Sequence, residues 1–462
     1  MTALWTSDEI AAAAGGTASA KFDCSGVAFD SREIGEGDLF FALKGEHSDG
    51  HLFVEQAFSQ GAAGAVVSEA TDEPHIKVED THAALNDLAR ESRRRAHGKI
   101  IGVTGSAGKT GTKEALFAAL ERSSRGKAHR SVKSYNNHVG VPLSLARMPA
   151  DSKFGIFEMG MNHPGELRDL TSLVRPHVAI ITTIAPAHIG FFKDEAEIAT
   201  AKAEIFEGLV EDGTAIIPAD NPHFELLKAA ARKFTDNVTS FGFSDEADVK
   251  VIDHINADNG GALVTAKLRH SSLCYNISQS GKHWVANSLA VLAAVEAAGG
   301  DLAAAGLALA ELGGMAGRGA RHEIAVDGGT VLLIDESYNA NPSSMTVTIE
   351  QLGNTAAGRR IAVLGMMGEL GEKSDQYHAA IAPLLASANV DYAVLVGDEM
   401  QILASLLDSG VEGPAKFDHC GTAEEALSLL RANMRADDAI LVKGSNSVGL
   451  SKIISALTAG EK

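Results

Sequence analysis

Cysteine is scarce in this chain. Cys24, Cys274 and Cys420 stand far apart, without the close spacing of a metal site. So few thiols do not build a disulfide framework, and a reducing cytoplasm is the simpler expectation. Basic charge is also in deficit: Lys plus Arg number 40 against 60 Asp plus Glu, for a net charge of −20. Nucleic acids and anionic membranes are held through basic surface, so neither is expected as a partner. A phosphorylated small molecule stays open, because loops and helix N-termini bind phosphate on an acidic background. No apolar run approaches the length of a membrane span. The first residues, Met1 to Asp8, lack the basic and apolar regions of a signal peptide, so none is expected. Short-period repeats and low-complexity tracts are missing as well.

What is present fits an ordinary globular protein of several domains. The 462 residues are 45% hydrophobic and 22% charged, too long a chain for one core. A polar break at Arg93–Gly98 and a Gly-rich break near 313–319 divide it into expected domains at 1–98, 99–316 and 317–462. Short continuous apolar runs at 154–158, 178–184, 331–335, 361–364, 392–396 and 439–442 alternate with helical stretches. That pattern predicts α/β domains with parallel sheets covered on both faces. Ligands of such sheets sit at the carboxyl ends of strands. Glu158, His188, Asp335, Glu336 and Lys443 stand at or just after such ends.

Residues 100–112 carry the clearest chemistry. An apolar strand runs into Gly105-Ser106-Ala107-Gly108-Lys109-Thr110 and then into a helix-forming segment. Glycines let such a loop turn its N–H groups onto phosphate oxygens, the lysine reaches the β/γ-phosphates, and the hydroxyl holds Mg²⁺. ATP or GTP is the expected ligand. The usual G-x-x-x-x-G-K-[ST] pattern has glycine where Val103 stands, so the loop is a variant. An ordinary βα turn is the alternative, which the flanking strand and helix disfavour.

Other candidates each keep a bland reading when taken singly. Glu158 is a Mg²⁺ ligand facing the loop or a solvated strand end. His188 is a ligand or a hydrogen-bonded loop histidine. Lys202, in an amphipathic helix, reads alone as a surface lysine. His283 and Asn287 share one helical face at i, i+4. Arg318, between two glycines, neutralises phosphoryl charge or is a linker charge. Val331–Glu336 looks like the second carboxylate strand of a motor ATPase. However, Asp335 lies far beyond Lys109 and past an expected domain break, whereas Glu158 fills the nearer place.

Taken together and in order, these strings resemble the Mur ligases of cell-wall synthesis. The resemblance rests on Gly102–Thr110, Asn136–Pro142, Glu158–His163, His188, Ala201–Phe206, Gly281-x-His283-x-x-x-Asn287, Gly317-Arg318 and Asp335–Pro342. In the first domain it rests on Asp30-Ser31-Arg32, Gly37–Leu43 and Asp49–His51. It implies a small α/β UDP-sugar domain, a central phosphate-loop ATPase domain and a C-terminal Rossmann-like domain. The Ser337–Pro342 string implies the branch adding D-alanyl-D-alanine to a UDP-N-acetylmuramoyl-tripeptide. Runners-up are a ligase adding a diamino acid or a folate-polyglutamate ligase and, from another class, a motor or switch ATPase.

The resemblance implies roles for residues. Gly105, Ser106, Ala107, Gly108, Lys109 and Thr110 would hold ATP phosphates, with Asn287 at the adenine, Arg318 at the γ-phosphate and Asp335 at the ribose. Thr110, Glu158 and His188 would serve Mg²⁺. Lys202 would take up CO₂ as a carbamate. Ser31, Arg32, Asn137, Asn339, Lys443 and Ser445 would meet the substrates. Lys109, Lys202, His188 and Arg318 would form the catalytic set, in a cytoplasmic enzyme expected to be a monomer. Gly111, Trp284, Glu336, Met366 and Asn446 depart from the family pattern.

Overall fold

The computed structural model of the chain describes residues 3–45, 48–257, 261–279 and 281–459. Residues 1–2 and 460–462, which the expected terminal domains include, lie outside these. Three larger sheets follow one another along the chain. The first has five strands in the order Thr17–Ala18, His75–Lys77, Gly64–Val67, Asp38–Phe41, Gly26–Ala28, parallel except for the first pair. Nine strands form the second, in which Lys99–Thr104 lies between Val178–Ile181 and Phe154–Glu158. The third has six, ordered Ala320–Val326, Gly329–Glu336, Asp438–Lys443, Arg359–Gly365, Tyr392–Val396, Lys416–Cys420.

The expected α/β class is what the chain adopts, and each apolar run above lies in or overlaps a strand. Alternate side chains of the central strands serve opposite faces. Ile101, Val103, Ile156 and Ile180 pack on the helices Lys109–Ser124 and Lys282–Ala297. Ile100, Phe157, Ala179 and Ile181 face the other way, into a core that continues through Ile189 and Phe192 to Met367 and Leu370 beside the third sheet.

Two differences from the sequence expectation have plain causes. The run 178–184 leaves the sheet after Ile181, because Thr182 turns to the phosphate loop and donates from Oγ1 to Ala107 O at 2.5 Å. The central sheet also ends in an antiparallel extension, Val249–Asn256, Ala262–Lys267 and Ser272–Ile277. In it Val264 and Ala266 are buried while Leu263 is exposed. One-sided strands alternate instead of forming continuous apolar runs, so a search for such runs passes over them. Among the described residues no helix is long and apolar enough to cross a membrane.

Candidate active site

The central and third sheets point their strand C-termini at one cleft of about 580 Å³. Ser106, Glu158, Thr182 and Pro218 line it from the central sheet, Glu336 and Lys443 from the third. This is where parallel α/β sheets present loops and helix N-termini to ligands.

The phosphate loop has the backbone its glycines permit. Gly105 has φ +149° and Gly108 φ +81°, values that side-chain-bearing residues rarely adopt. A Cβ on Gly105 would stand 1.9 Å from Thr182 Oγ1. Ser106 and Ala185 exchange hydrogen bonds of 2.9 and 3.0 Å that tie the loop to the neighbouring strand end. Lys109 Nζ donates to Gly105 O at 2.7 Å. Thr110 Oγ1 donates to Glu158 Oε2 at 2.8 Å, and Asn136 Nδ2 donates to Glu158 Oε1 at the same distance. Glu158 is 1% exposed, so this carboxylate is desolvated and aimed by two donors.

Lysines crowd this carboxylate in an otherwise acidic chain. Lys109 has its ammonium pKa lowered, by burial first; Glu158 opposes the shift and Arg318 adds to it. Lys202, on the helix Glu195–Ala203 that Asp194 caps, is 1% exposed. Its pKa is pushed well below the usual lysine value by burial and then by Lys109. Among the described residues its side-chain nitrogen has no hydrogen-bond or ion-pair partner. Sequence alone reads it as a surface lysine; the helix turns it inward instead.

The third sheet builds the opposite wall. Arg318 lies with its guanidinium carbon 3.9 Å from the Tyr338 ring centroid and donates from Nη2 to Ser134 Oγ at 3.2 Å. Lys443, 1% exposed, donates to Asn339 O at 2.9 Å and stands 3.8 Å from Glu336. Burial lowers the Lys443 pKa and raises that of Glu336. Asp335 is turned away. Its Oδ2 accepts from Gly317 N at 2.6 Å, and its Oδ1 accepts from Ser337 N and Oγ at 3.1 and 2.6 Å. Neighbours on a strand face opposite ways, so Glu336, not Asp335, lines the cleft. Gly317 N and Ser337 thus engage both oxygens of Asp335, and Glu336 is the carboxylate that this strand presents to the cleft.

Several expected site residues lie outside the cleft. Asn137 Oδ1 accepts from Val139 N and Gly140 N at 3.2 and 2.9 Å and so tethers the start of the helix Gly140–Ala146. Ser445 N donates to Met366 O at 2.9 Å, in the loop behind the wall. Ser31 is buried and bonds Gln56, while Arg32 is exposed and held bidentate by Asp30 at 2.9 and 2.7 Å. Their neighbour Glu33 joins the central domain, pairing with Lys133 and accepting from the Tyr135 hydroxyl. His188 is on the cleft rim, with φ +57° and its Nδ1 against Glu369 of the third domain. That contact holds the Glu369 carboxyl below its usual range.

Comparison with known proteins agrees with this architecture. UDP-N-acetylmuramoyl-tripeptide–D-alanyl-D-alanine ligase of Rickettsia prowazekii (strain Madrid E) is 31% identical over 456 residues, covering 98% of this chain and 99% of that protein. The chain belongs to the Mur ligase family. Three descriptions of Mur ligases match in order: "Mur ligase family, catalytic domain" at 23–93, "Mur ligase middle domain" at 103–295, and "Mur ligase, glutamate ligase domain" at 320–446. Among solved structures, MurF from Acinetobacter baumannii superimposes with a TM-score of 0.83 at 29% identity, covering 98% of this chain and 99% of that one. MurF ligase from Thermotoga maritima in complex with ADP gives 0.77 at 26% identity, with 94% and 97% covered.

Sequence reading missed two residues that support this Mur ligase cleft, Lys113 and Glu369, and gave Asn136 and Glu336 no role of their own. Lys113 is fully buried and donates to Ser131 O and Lys133 O at 3.1 and 2.6 Å, with Glu114 at 3.0 Å and Glu158 at 3.9 Å. Asn136 aims Glu158, Glu369 holds His188, and Glu336 lines the wall. Lys113 did leave a signal, a lysine one helical turn past Lys109 on the same face. Two departures from the family pattern prove to be one: a Cβ on Gly111 would stand 2.8 Å from Cη2 of Trp284, so the small residue makes room for the large one.

Proposed function

We propose that this chain joins D-alanyl-D-alanine to UDP-N-acetylmuramoyl-tripeptide at the cost of ATP, in peptidoglycan precursor synthesis. One observation carries the reading: Lys109, Thr110 and Glu158 on one wall of the cleft face Arg318, Glu336 and Lys443 on the other. The activity in the relatives' names, and the ADP bound by the Thermotoga protein, support it.

A carboxylate is a poor electrophile until a phosphoryl group is placed on it. Transfer of the ATP γ-phosphoryl to the tripeptide carboxylate forms an acyl phosphate and releases ADP. The dipeptide amine then attacks the acyl carbon, the C–N bond forms, phosphate leaves and the amine loses a proton. Such chemistry rests on positioning and charge neutralisation. Gly105 to Thr110 cradle the phosphates, Lys109 reaches the β/γ end, and Arg318 meets the γ-phosphoryl from across the cleft. Lys443 and Asn339 lie on the acceptor side, with Ser445 behind them. Asn287 faces the nucleoside, and Ser31, Arg32 and Asn137 belong to the UDP-sugar end.

Thr110 and Glu158 offer two hard oxygen donors in contact, which suits Mg²⁺. That ion takes few protein ligands and keeps waters and substrate phosphates. Among the described residues no group of three His, Cys, Asp or Glu could hold a metal, so substrate oxygens would complete the shell. When bound, the ion supplies charge neutralisation at the transferring phosphoryl; His188 stands on the rim to serve it. Lys202 suits carbamate formation because burial and then the neighbouring Lys109 both favour its neutral amine, the form that reacts with CO₂. Its nitrogen bonds the carbon, a proton leaves, and the resulting anion faces Lys109, turning repulsion into attraction. Domain limits at 1–98, 99–316 and 317–462, a cytoplasmic setting and a monomer complete the reading.

The test is phosphate release with ATP, Mg²⁺, the UDP-tripeptide and D-Ala-D-Ala, each omitted in turn. Release is expected only with all present; release indifferent to the dipeptide refutes the ligase.

A further inference from the structure

The cleft has an aromatic wall that the phosphoryl chemistry does not use. Trp284 stands in the first turn of the helix Lys282–Ala297 and lines the cleft beside His283 and Asn287. It is one of two tryptophans. The other, Trp5, is fully committed: it is 1% exposed, its Nε1 donates to Ala146 O at 2.8 Å, and Arg95 lies 3.4 Å over its ring. Trp284 is partly exposed, and its indole N–H finds no acceptor among the described residues. An indole left half-open, with its N–H unpaired, has a face and a donor to offer a ligand.

Its place in the cleft names the ligand. Lys109 and the Thr110–Glu158 pair mark the β/γ end of a bound polyphosphate. Asn287 lies against the other side of the loop, where a Cβ on Gly108 would be 2.9 Å from its Nδ2. The benzo end of Trp284 lies over Gly111, one residue past Thr110. A nucleotide with its γ-phosphate toward Arg318 therefore leaves the loop, base last, along Asn287 and Trp284. His283 beside it has its pKa lowered to about 4, chiefly by burial, so that ring is uncharged at neutral pH. Lys282, the cation of this helix turn, is exposed and does not line the cleft.

We propose that Trp284 is the platform on which the adenine of the nucleotide stacks, so that the base is held chiefly through its π face. This rests on the nucleotide reading of the cleft given above. Gly111 is part of the device, since any larger residue there displaces the indole.

Binding of ADP and of inorganic tripolyphosphate, each with Mg²⁺, is measured by calorimetry for the wild-type chain, Trp284→Ala and Trp284→Phe. Base–aromatic stacking predicts that Trp284→Ala raises the ADP dissociation constant about tenfold, and that Trp284→Phe recovers most of the loss. Tripolyphosphate has no base, so its affinity stays the same in all three. Tryptophan fluorescence gives an independent readout: ADP quenches it in the wild type and not in Trp284→Phe, because Trp5 is sealed in another domain. Wild-type ADP affinity in Trp284→Ala, or equal loss of ADP and tripolyphosphate, overturns the stacking role. A wild-type chain that binds neither probe overturns the nucleotide reading itself.

Discussion

Lys113 and Lys202 show how differently two buried lysines can be used. The ammonium of Lys113 has three acceptors, two of them carbonyls of the 131–133 segment, so its charge is fully satisfied. Lys113→Met leaves those carbonyls buried and unpaired. The expected cost is about 1–3 kcal/mol, read as a lower denaturation midpoint, together with a fall in kcat because Asn136 and Glu158 lose their support. An unchanged midpoint and rate would show that the loop stands without it. Lys202 has no acceptor at all and suits a covalent modification, not a salt bridge. Lys202→Ala should lose most activity and regain part of it with added formate or acetate; full activity without additives removes the carbamate role. Sequence reading weighed Lys202 as a surface residue because helical periodicity tells which face a residue shares, not which face is turned inward.

The strand Lys99–Thr104 carries the phosphate loop, and its start is fastened by a histidine. His177 Nδ1 accepts from Ile100 N at 2.9 Å, which requires a neutral ring, and burial followed by Arg93 lowers its pKa to about 4. His129 and His283 are shifted to about 4 as well, again chiefly by burial. Unfolded, these rings take protons near pH 6.5. Folded, they wait until about 4, so the unfolded state binds more protons in between. Stability is therefore full above pH 6.5, falls as pH drops toward 4, and levels off below it. Denaturation midpoints at pH 7, 6 and 5 should decline in that order, and His177→Asn should shallow the slope; an identical slope removes His177 from the effect. The strand itself was legible as an apolar run. Its fastening was not, because nothing in the spacing of Ile100 and His177 says that they meet.

Across the whole molecule, one loop meets all three domains. Residues 131–137 touch Glu33 of the first through Lys133 and Tyr135 and Arg318 of the third through Ser134, while Asn136 aims Glu158 in the second. The His188–Glu369 pair is a second bridge, between two residues with φ of +57° and +62°. Cutting it with Glu369→Ala should leave ADP affinity nearly intact, since the phosphate loop is elsewhere. On the metal role proposed for His188, it should lower kcat about 10–100-fold. Steady-state kinetics beside ADP calorimetry separate the two effects, and equal kcat in both proteins would leave the bridge a passive contact.

By itself the sequence determined the α/β class, fewer than half of the parallel strands and the phosphate loop, because each depends on near neighbours. Apolar runs bury where they stand, and Gly105 and Gly108 bend the chain within four residues of Lys109. The tertiary structure alone decided which distant groups share the cleft. Glu336 faces it and Asp335 does not, because neighbours on a strand face opposite ways and Asp335 accepts from Gly317 N. Asn137 tethers the backbone ahead of the helix Gly140–Ala146, while Asn136, one residue earlier, aims Glu158. Trp284 lies over Gly111 because a helix from far along the chain packs on the phosphate-loop helix. Strand order and helix packing set those distances, and no local pattern in the chain encodes them.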